Sequence, residues 1–187
     1  GAPSPIDVFR YEASAWAVAE CAVNGASKLT DHLACDPSGP TDAACHESFV
    51  RAFGRRAFRR PLEAGEVARY VAVAQTAAAA EGDFQAGLRD VIASMLQSPS
   101  FLYRTELGTP SGDARVLSAY ELASKLSFFL IDRAPSAALL DAAERGDLDD
   151  PEGIVAAAEA ILDAEPQAAR SATRAFFSEV LRLRGLE

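Results

Sequence analysis

Apolar residues recur at three- and four-residue spacing along almost the whole chain, and no stretch alternates apolar and polar with period two. The first pattern lays a stripe along a helix, whereas a half-buried strand needs the second. The chain is therefore expected to be all-α, with about eight helices in a bundle-like, orthogonal packing. The clearest stripe is Phe84, Leu88, Val91, Ile92 and Met95, opened by Asp83 as cap. Further helices are predicted over 6–23, 41–58 with Thr41 or Asp42 as cap, 62–80, 136–146 and 151–162. A short one is expected near 27–33, and a last one starts at Pro166 with Ala169, Ala172, Phe176, Val180 and Leu183 in one stripe. Pro61 turns Arg60 away from helical geometry and restarts the chain. Ser98 and Pro99 then open a continuation through Glu106.

"GTPSGDA" is the one convincing break, so residues 108–116 are expected to be a linker between helical subregions 1–107 and 117–187 that share one core. Behind it, "SAYE" is a capping box with Ser118 as cap and Glu121 three residues on. The helix that follows, "YELASKLSFFLI", is apolar nearly all round apart from two serines and the Glu121/Lys125 pair, which places it at the centre of the structure. A chain of 187 residues fits one domain or two small helical units. Its apolar runs are too short for a transmembrane segment. The opening "GAPSPID" is a polar lead-in without signal-peptide character, as in an excised fragment. A net charge of -9 argues against nucleic acid as a partner.

Cys35 and Cys45 flank "DPSGPTDAA", a Pro/Gly-rich loop. They are read either as a disulfide, worth roughly 2–3 kcal/mol in the chain-entropy model, or as two unpaired thiols. A disulfide would place the chain outside the cytoplasm. Cys21, within "WAVAECAV", reads as a small buried hydrophobe.

"FGRRAFRRPLEAGE" concentrates four arginines in an acidic chain. On a wheel of about 100° per residue with Phe49 at zero, Phe53 falls near ~40°, Ala57 near ~80° and Arg56 near about -20°. Arg51, Arg55 and Arg59 lie on the other side. An arginine in an apolar stripe cannot shed its charge and needs a carboxylate or several carbonyls. One reading makes Arg56, with Arg59 or Arg60, struts tied to Glu66, Asp90, Glu106 or Glu121. Another is an anion site for a carboxylate, a phosphate or a haem propionate; a third is a solvated face. "SPSFLYRTE" adds Tyr103, Arg104 and Glu106, either as ligand contacts or as core and rim.

Other chemistry is thinly represented. "AACH" holds only the second cysteine of a Cys-x-x-Cys-His haem motif, so no cofactor is expected in this chain. His32 and His46 flank the cysteine loop and read as surface-loop residues more readily than as metal ligands, so no metal is assigned. "DLDDPEG" looks calcium-like but has Ala158 where the loop needs its last glutamate. There is no phosphate loop, nucleophile elbow or zinc spacing.

The blocks "FVRAFGRRAFRRPLEAGEVARYV", "VIASMLQSPSFLYRTE", "LSAYELASKLSFFL", "LLDAAERGDLDDPE" and "AFFSEVLRLRGL" occur in one order. The series resembles the paired domains of unknown function in large secreted proteins of planctomycetes and myxobacteria, which often carry c-type-cytochrome-like modules on the same polypeptide. This chain departs from that pattern in three places. Lys125 stands where the family has an arginine, Phe128-Phe129-Leu130-Ile131 where it has Tyr-Phe-Leu-Trp, and Val180-Leu181 where it has Trp-Leu.

The resemblance implies an extracytoplasmic setting and a c-type haem on a neighbouring domain, and carries over no catalytic residue. The first reading of function is a non-catalytic scaffold or docking module whose partners are other domains of its own polypeptide. An alternative is part of a haem-linked oxidoreductase holding an anionic or polymeric substrate with Arg56, Arg59, Arg60, Tyr103 and Arg104. A third is a carbohydrate or cell-surface binding module, disfavoured by the single Trp16.

Overall fold

Short polar side chains and prolines set where the helices begin. A computed structural model describes residues 5–25, 29 and 33–182. Its helices are α1 (Pro5–Asn24), α2 (Ala43–Phe58), α3 (Ala64–Glu81), α4 (Phe84–Leu96), α5 (Pro99–Leu102), α6 (Ala119–Ile131), α7 (Ala137–Arg145), α8 (Pro151–Ala164) and α9 (Pro166–Val180). Asp42, Asp83, Ser98, Ser118, Ser136 and Asp150 each accept a backbone N–H in the first turn that follows, and Pro99, Pro151 and Pro166 open their helices. Gly82 and Gly146 close α3 and α7 at positive φ, where a side chain would be strained. The fold is all-α but for one small hairpin. The short helix expected near 27–33 falls mostly outside the described residues.

The chain divides into two compact units, Gly1–Arg104 and Thr105–Glu187. In the first, α4 is the central helix, packed against α1, α2, α3 and α5. Leu88, Val91, Ile92 and Met95 are fully buried, as their spacing predicts. Each buried side chain of that size contributes about 1.5–3 kcal/mol over leaving it in water. Ala86, Gly87 and Ala93 are buried too, so α4 is enclosed on more than one face. Small residues make this possible by letting backbones approach. A Cβ at Gly87 would lie 2.8 Å from the Ala74 carbonyl oxygen on α3 and 2.6 Å from Nε2 of His46 on α2.

The second unit holds β1 (Thr109–Ser111), β2 (Ala114–Val116) and α6 to α9. Residues 108–116, expected to be a linker, contain an antiparallel hairpin with Ser111 opposite Ala114. Gly112, at φ 60°, supplies the positive dihedral that a two-residue loop requires. Strands of three residues are too short to display alternation, which is why the periodicity missed them. α6 packs against α7, α8 and α9, so it is the hub of this unit. It is not enclosed, however: Ala123, Ser127 and Ile131 are buried while Phe129 is 81% exposed.

Each unit has a cluster of buried apolar residues of its own. Several expectations are corrected. α5 stops at Leu102 because Tyr103 turns to extended geometry, so no helix continues through Glu106. Cys21 is exposed. The face of α1 that is buried carries Ala15, Ala19 and Val23, and two residues on from Ala19 is about 200° round the helix. His46 is a fully buried residue of α2 and no surface-loop side chain.

Gly87→Ala tests the close approach of α3 and α4. We expect a loss of roughly 1–3 kcal/mol from overpacking, read as a lower urea midpoint at unchanged slope. An unchanged midpoint would mean that α4 shifts freely against its neighbours.

Candidate functional site

The arginine cluster ends up doing three different things. α2 ends at Phe58, and Arg59 leaves the helix in the left-handed region at φ 60°. That turn sends its side chain inward, to 8% exposure. The guanidinium then donates to the carbonyl oxygens of Ala57 (2.9 Å), Ser100 (2.7 Å), Phe101 (3.5 Å) and Tyr103 (3.0 Å). It is a buried strut held by backbone oxygens, and it fastens α5 and the extended Tyr103 after it to the end of α2. Burial, with Arg104 and Arg60 near by, depresses its affinity for the proton. Arg60 instead makes a bidentate pair with Glu66 on α3, both contacts at 2.8 Å. The pairing lowers the Glu66 pKa and raises that of Arg60. Glu66 also accepts the Glu63 N–H in a capping box. Arg56, the strut of the helical wheel, is exposed. Arg51 pairs with Glu47 one turn back, an exposed contact of little energetic weight.

The remaining candidates are divided between the two units. Tyr103 is half-exposed and engages Arg59 through its carbonyl, and Arg104 is exposed. In the second unit Glu106 accepts from Lys125 at 2.7 Å, so Lys125 is not the partner of Glu121. Glu121 accepts the backbone N–H groups of Leu107, Gly108 and Ser118. Partial burial pushes its pKa up, but these bonds prevail and hold it below the usual carboxylate range. It is a node that fixes the chain entering α6. Asp90 pairs with Arg89.

Arg89 and His46 are the structural polar groups whose roles sequence reasoning missed. Arg89 on α4 reaches Glu81 of α3 at 2.6 Å and Glu20 of α1 at 3.7 Å, and it lies over the Trp16 ring. These contacts link α1, α3 and α4 in the carboxylate-tied manner expected of Arg56. Arg89 has no periodic signature, since Glu81 lies across the Gly82 turn. His46 stacks on Phe84 with ring centroids 4.2 Å apart, and its Nδ1 meets Gln75 Nε2 at 3.1 Å. Its Nε2 is buried without a hydrogen-bond partner among the described residues. Burial holds its pKa below the ordinary value against the opposing pull of the Phe84 backbone and Asp42. The wheel that misplaced Arg56 puts His46 near about 60°, between Phe53 and Ala57; that was the available signal.

Cys35 and Cys45 form a disulfide with their Cα atoms 5.7 Å apart, so Cys45 has no thiol for a thioether to haem. Beside it, Asp42 caps α2 and also accepts from Ser38. The Ser38 and Cys45 N–H groups and the Ser38 hydroxyl hold its pKa at about 2. No group of His, Cys, Asp and Glu among the described residues is arranged to hold a metal ion. His32, half of the pair weighed as metal ligands, lies outside the described residues. In "DLDDPEG", Asp147 pairs with Arg145 and Asp150 caps α8, which accounts for two of its carboxylates.

The second unit also holds a concavity. There α7 and α8 each pack on α6, and between them opens a cavity of about 400 Å³. Ser127, Ile131, Leu139, Ala142 and Ile161 line its interior. Arg133 and Glu165, paired at 3.1 Å, stand at its exposed rim.

Two predictions follow from these placements. Arg59→Ala strips the partner from several carbonyls and is expected to cost about 3 kcal/mol. Arg59→Gly loses the same bonds without the left-handed strain and should cost about 1 kcal/mol less. Arg56→Ala should stay within about 0.5 kcal/mol of the parent. Urea titrations of the three variants rank them. His46 supplies the second. Its folded pKa lies below the unfolded value near ~6.5, so it costs nothing above that pH. As pH falls from there toward the folded pKa, only the unfolded chain takes up the proton and stability declines. His46→Leu should flatten the urea midpoint between about pH 7 and pH 5 relative to the parent.

Residues 45–106 match the family model described as PSD5, a protein of unknown function (DUF1595). Residues 117–187 match the model described as PSD4, a protein of unknown function (DUF1592). No curated protein and no solved structure matches the chain. This protein is thus similar to two domain families of unknown function, arranged one after the other.

Proposed function

We propose that this chain is a non-catalytic, helical docking module of a larger extracytoplasmic polypeptide, and that its partner is a neighbouring domain, by the resemblance a c-type haem redox module. The observation that carries this reading is the far end of α9. Ala168 is buried, but Phe176, Phe177, Val180 and Leu181 are all more than half exposed, with the two phenylalanine rings edge to face. A helix that seats only its first half leaves an apolar end for something else to cover. Ile6, Val8 and Phe9 on α1 are exposed in the same way. The disulfide supports an oxidising compartment, and no described helix is long and apolar enough to cross a membrane.

The oxidoreductase alternative draws less support. It needs Arg56, Arg59, Arg60, Tyr103 and Arg104 to present donors to one pocket. Arg59 spends its donors on backbone carbonyls and Arg60 spends its own on Glu66.

The test is the double substitution Phe176→Ser with Val180→Ser. Removing exposed apolar groups should change stability by no more than about 0.5 kcal/mol. Binding of the isolated chain to its neighbouring domain, measured by titration calorimetry, should fall at least about tenfold. Binding that survives the double variant but fails on Arg56→Ala with Arg104→Ala would transfer the role to the arginine surface and sink the docking face.

A further inference from the structure

We infer that the cavity between α7 and α8 is a binding site for a small, neutral, mainly apolar molecule carrying one hydrogen-bonding group. This goes beyond the docking reading and stands independently of it, since none of the exposed residues at the end of α9 lines the cavity.

Volume comes first. The cavity measures about 400 Å³, between two and three times the ~150 Å³ that takes one benzene ring. It lies inside the range of small-molecule sites, roughly 300–1,000 Å³. An occupant of two fused rings, or an aliphatic body of that bulk, fits.

The walls set the chemistry. Alanines line the gap from both helices: Ala138 and Ala142 from α7, Ala157 and Ala160 from α8. Alanines on packed helices normally let the backbones close up, as Ala74 and Gly87 do between α3 and α4. Here each of these helices is held by α6 instead, through Leu139 and Ile161, which join the Ala123 and Leu148 cluster. The missing side-chain volume is left as space. Ile131, Leu139 and Ile161 give that space an apolar interior.

One polar group reaches it from within. Ser127 is 1% exposed and lines the cavity, the one polar side chain of its inner wall. A hydroxyl, amide or carbonyl on the occupant could exchange a hydrogen bond with its hydroxyl, which favours a ligand carrying such a group. The other serine of the lining, Ser136, already accepts the Leu139 N–H as the cap of α7. At the rim Arg133 and Glu165 neutralise each other. They offer no net charge to an ionic ligand, and a charged head placed at Ser127 would lose its water without gaining a counter-ion.

Naphthol, naphthalene and naphthalenesulfonate are the probes, titrated into the whole chain and followed by fluorescence and calorimetry. Naphthol is expected to bind saturably, one per chain, and more tightly than the sulfonate. Ser127→Ala should weaken naphthol about tenfold and leave naphthalene unchanged. Ala142→Phe should abolish binding of both. Should that variant lose its helical circular dichroism, Ala160→Trp at the exposed rim blocks the same mouth without entering the core. Arg133→Ala should leave naphthol binding as it was. Absence of saturable naphthol binding overturns the inference, as does unchanged binding in a folded Ala142→Phe or Ala160→Trp variant. Preference for the sulfonate, lost with Arg133→Ala, overturns the neutral ligand class.

Discussion

A guanidinium cannot give up its proton inside a protein, so wherever one is buried the surrounding chain must be built to receive it. Arg59 imposes that condition on the first unit. Its donors meet carbonyls of Ala57, Ser100, Phe101 and Tyr103, which a regular helix would have used itself or left to water. The turn of α5 and the extended Tyr103 after it have the shape that delivers those oxygens to one place. The buried member of the basic cluster is the fastening of a helix end, a strut held by carbonyls where carboxylates were expected. The same chemistry recurs with the sign reversed at Glu121, a carboxylate gathering backbone N–H groups ahead of α6. In both units an ion is spent on backbone that has left regular structure.

Small residues have opposite consequences in the two units. In the first, Ala74, Ala78, Ala86, Gly87 and Ala93 are buried on α3 and α4, with Gly87 set against the Ala74 carbonyl, and large side chains fill the rest of the core. Nothing resists close approach, and the helices take it. In the second, the buried cluster is Ala123, Leu139, Ala143 and Leu148, with larger residues only half-buried round it. α7 and α8 are each held by the hub helix, so their alanines meet a gap and not each other. Composition alone does not separate these cases, since the number of alanines is no guide to which helices share a third partner.

This bears on what the sequence made legible. Caps and period were readable because they are local: Asp83, Ser118 with Glu121, Ser136 and Pro151 announce helix starts by chemistry confined to one turn. The Arg60–Glu66 pair sits across a short proline turn and was within reach of the same reasoning. Arg59 was not. A wheel assigns angles only while the helix lasts, and α2 ends one residue before it, so its computed direction had no meaning. His46 did lie in the apolar arc, but its place beside a cysteine loop drew the reading toward the surface. Cys21 failed for a simpler reason, because an apolar neighbourhood in sequence is not an apolar face. The cavity had no sequence signal, for it is made by space between elements.

Exposed apolar side chains on α1 and α9 bear on solubility and partner choice together. An acidic chain with net charge -9 repels its own copies, which counters the tendency of such patches to self-associate. Repulsion of that kind is long-ranged and screened by salt, whereas apolar contact is short-ranged and indifferent to it. A neighbour tethered on the same polypeptide escapes much of the penalty, because the tether supplies a high effective concentration against which modest repulsion counts little. Free copies of the chain have no such help. On the docking reading proposed above, the acidic charge opposes pairing of two copies through these phenylalanines and weighs less on a tethered neighbour.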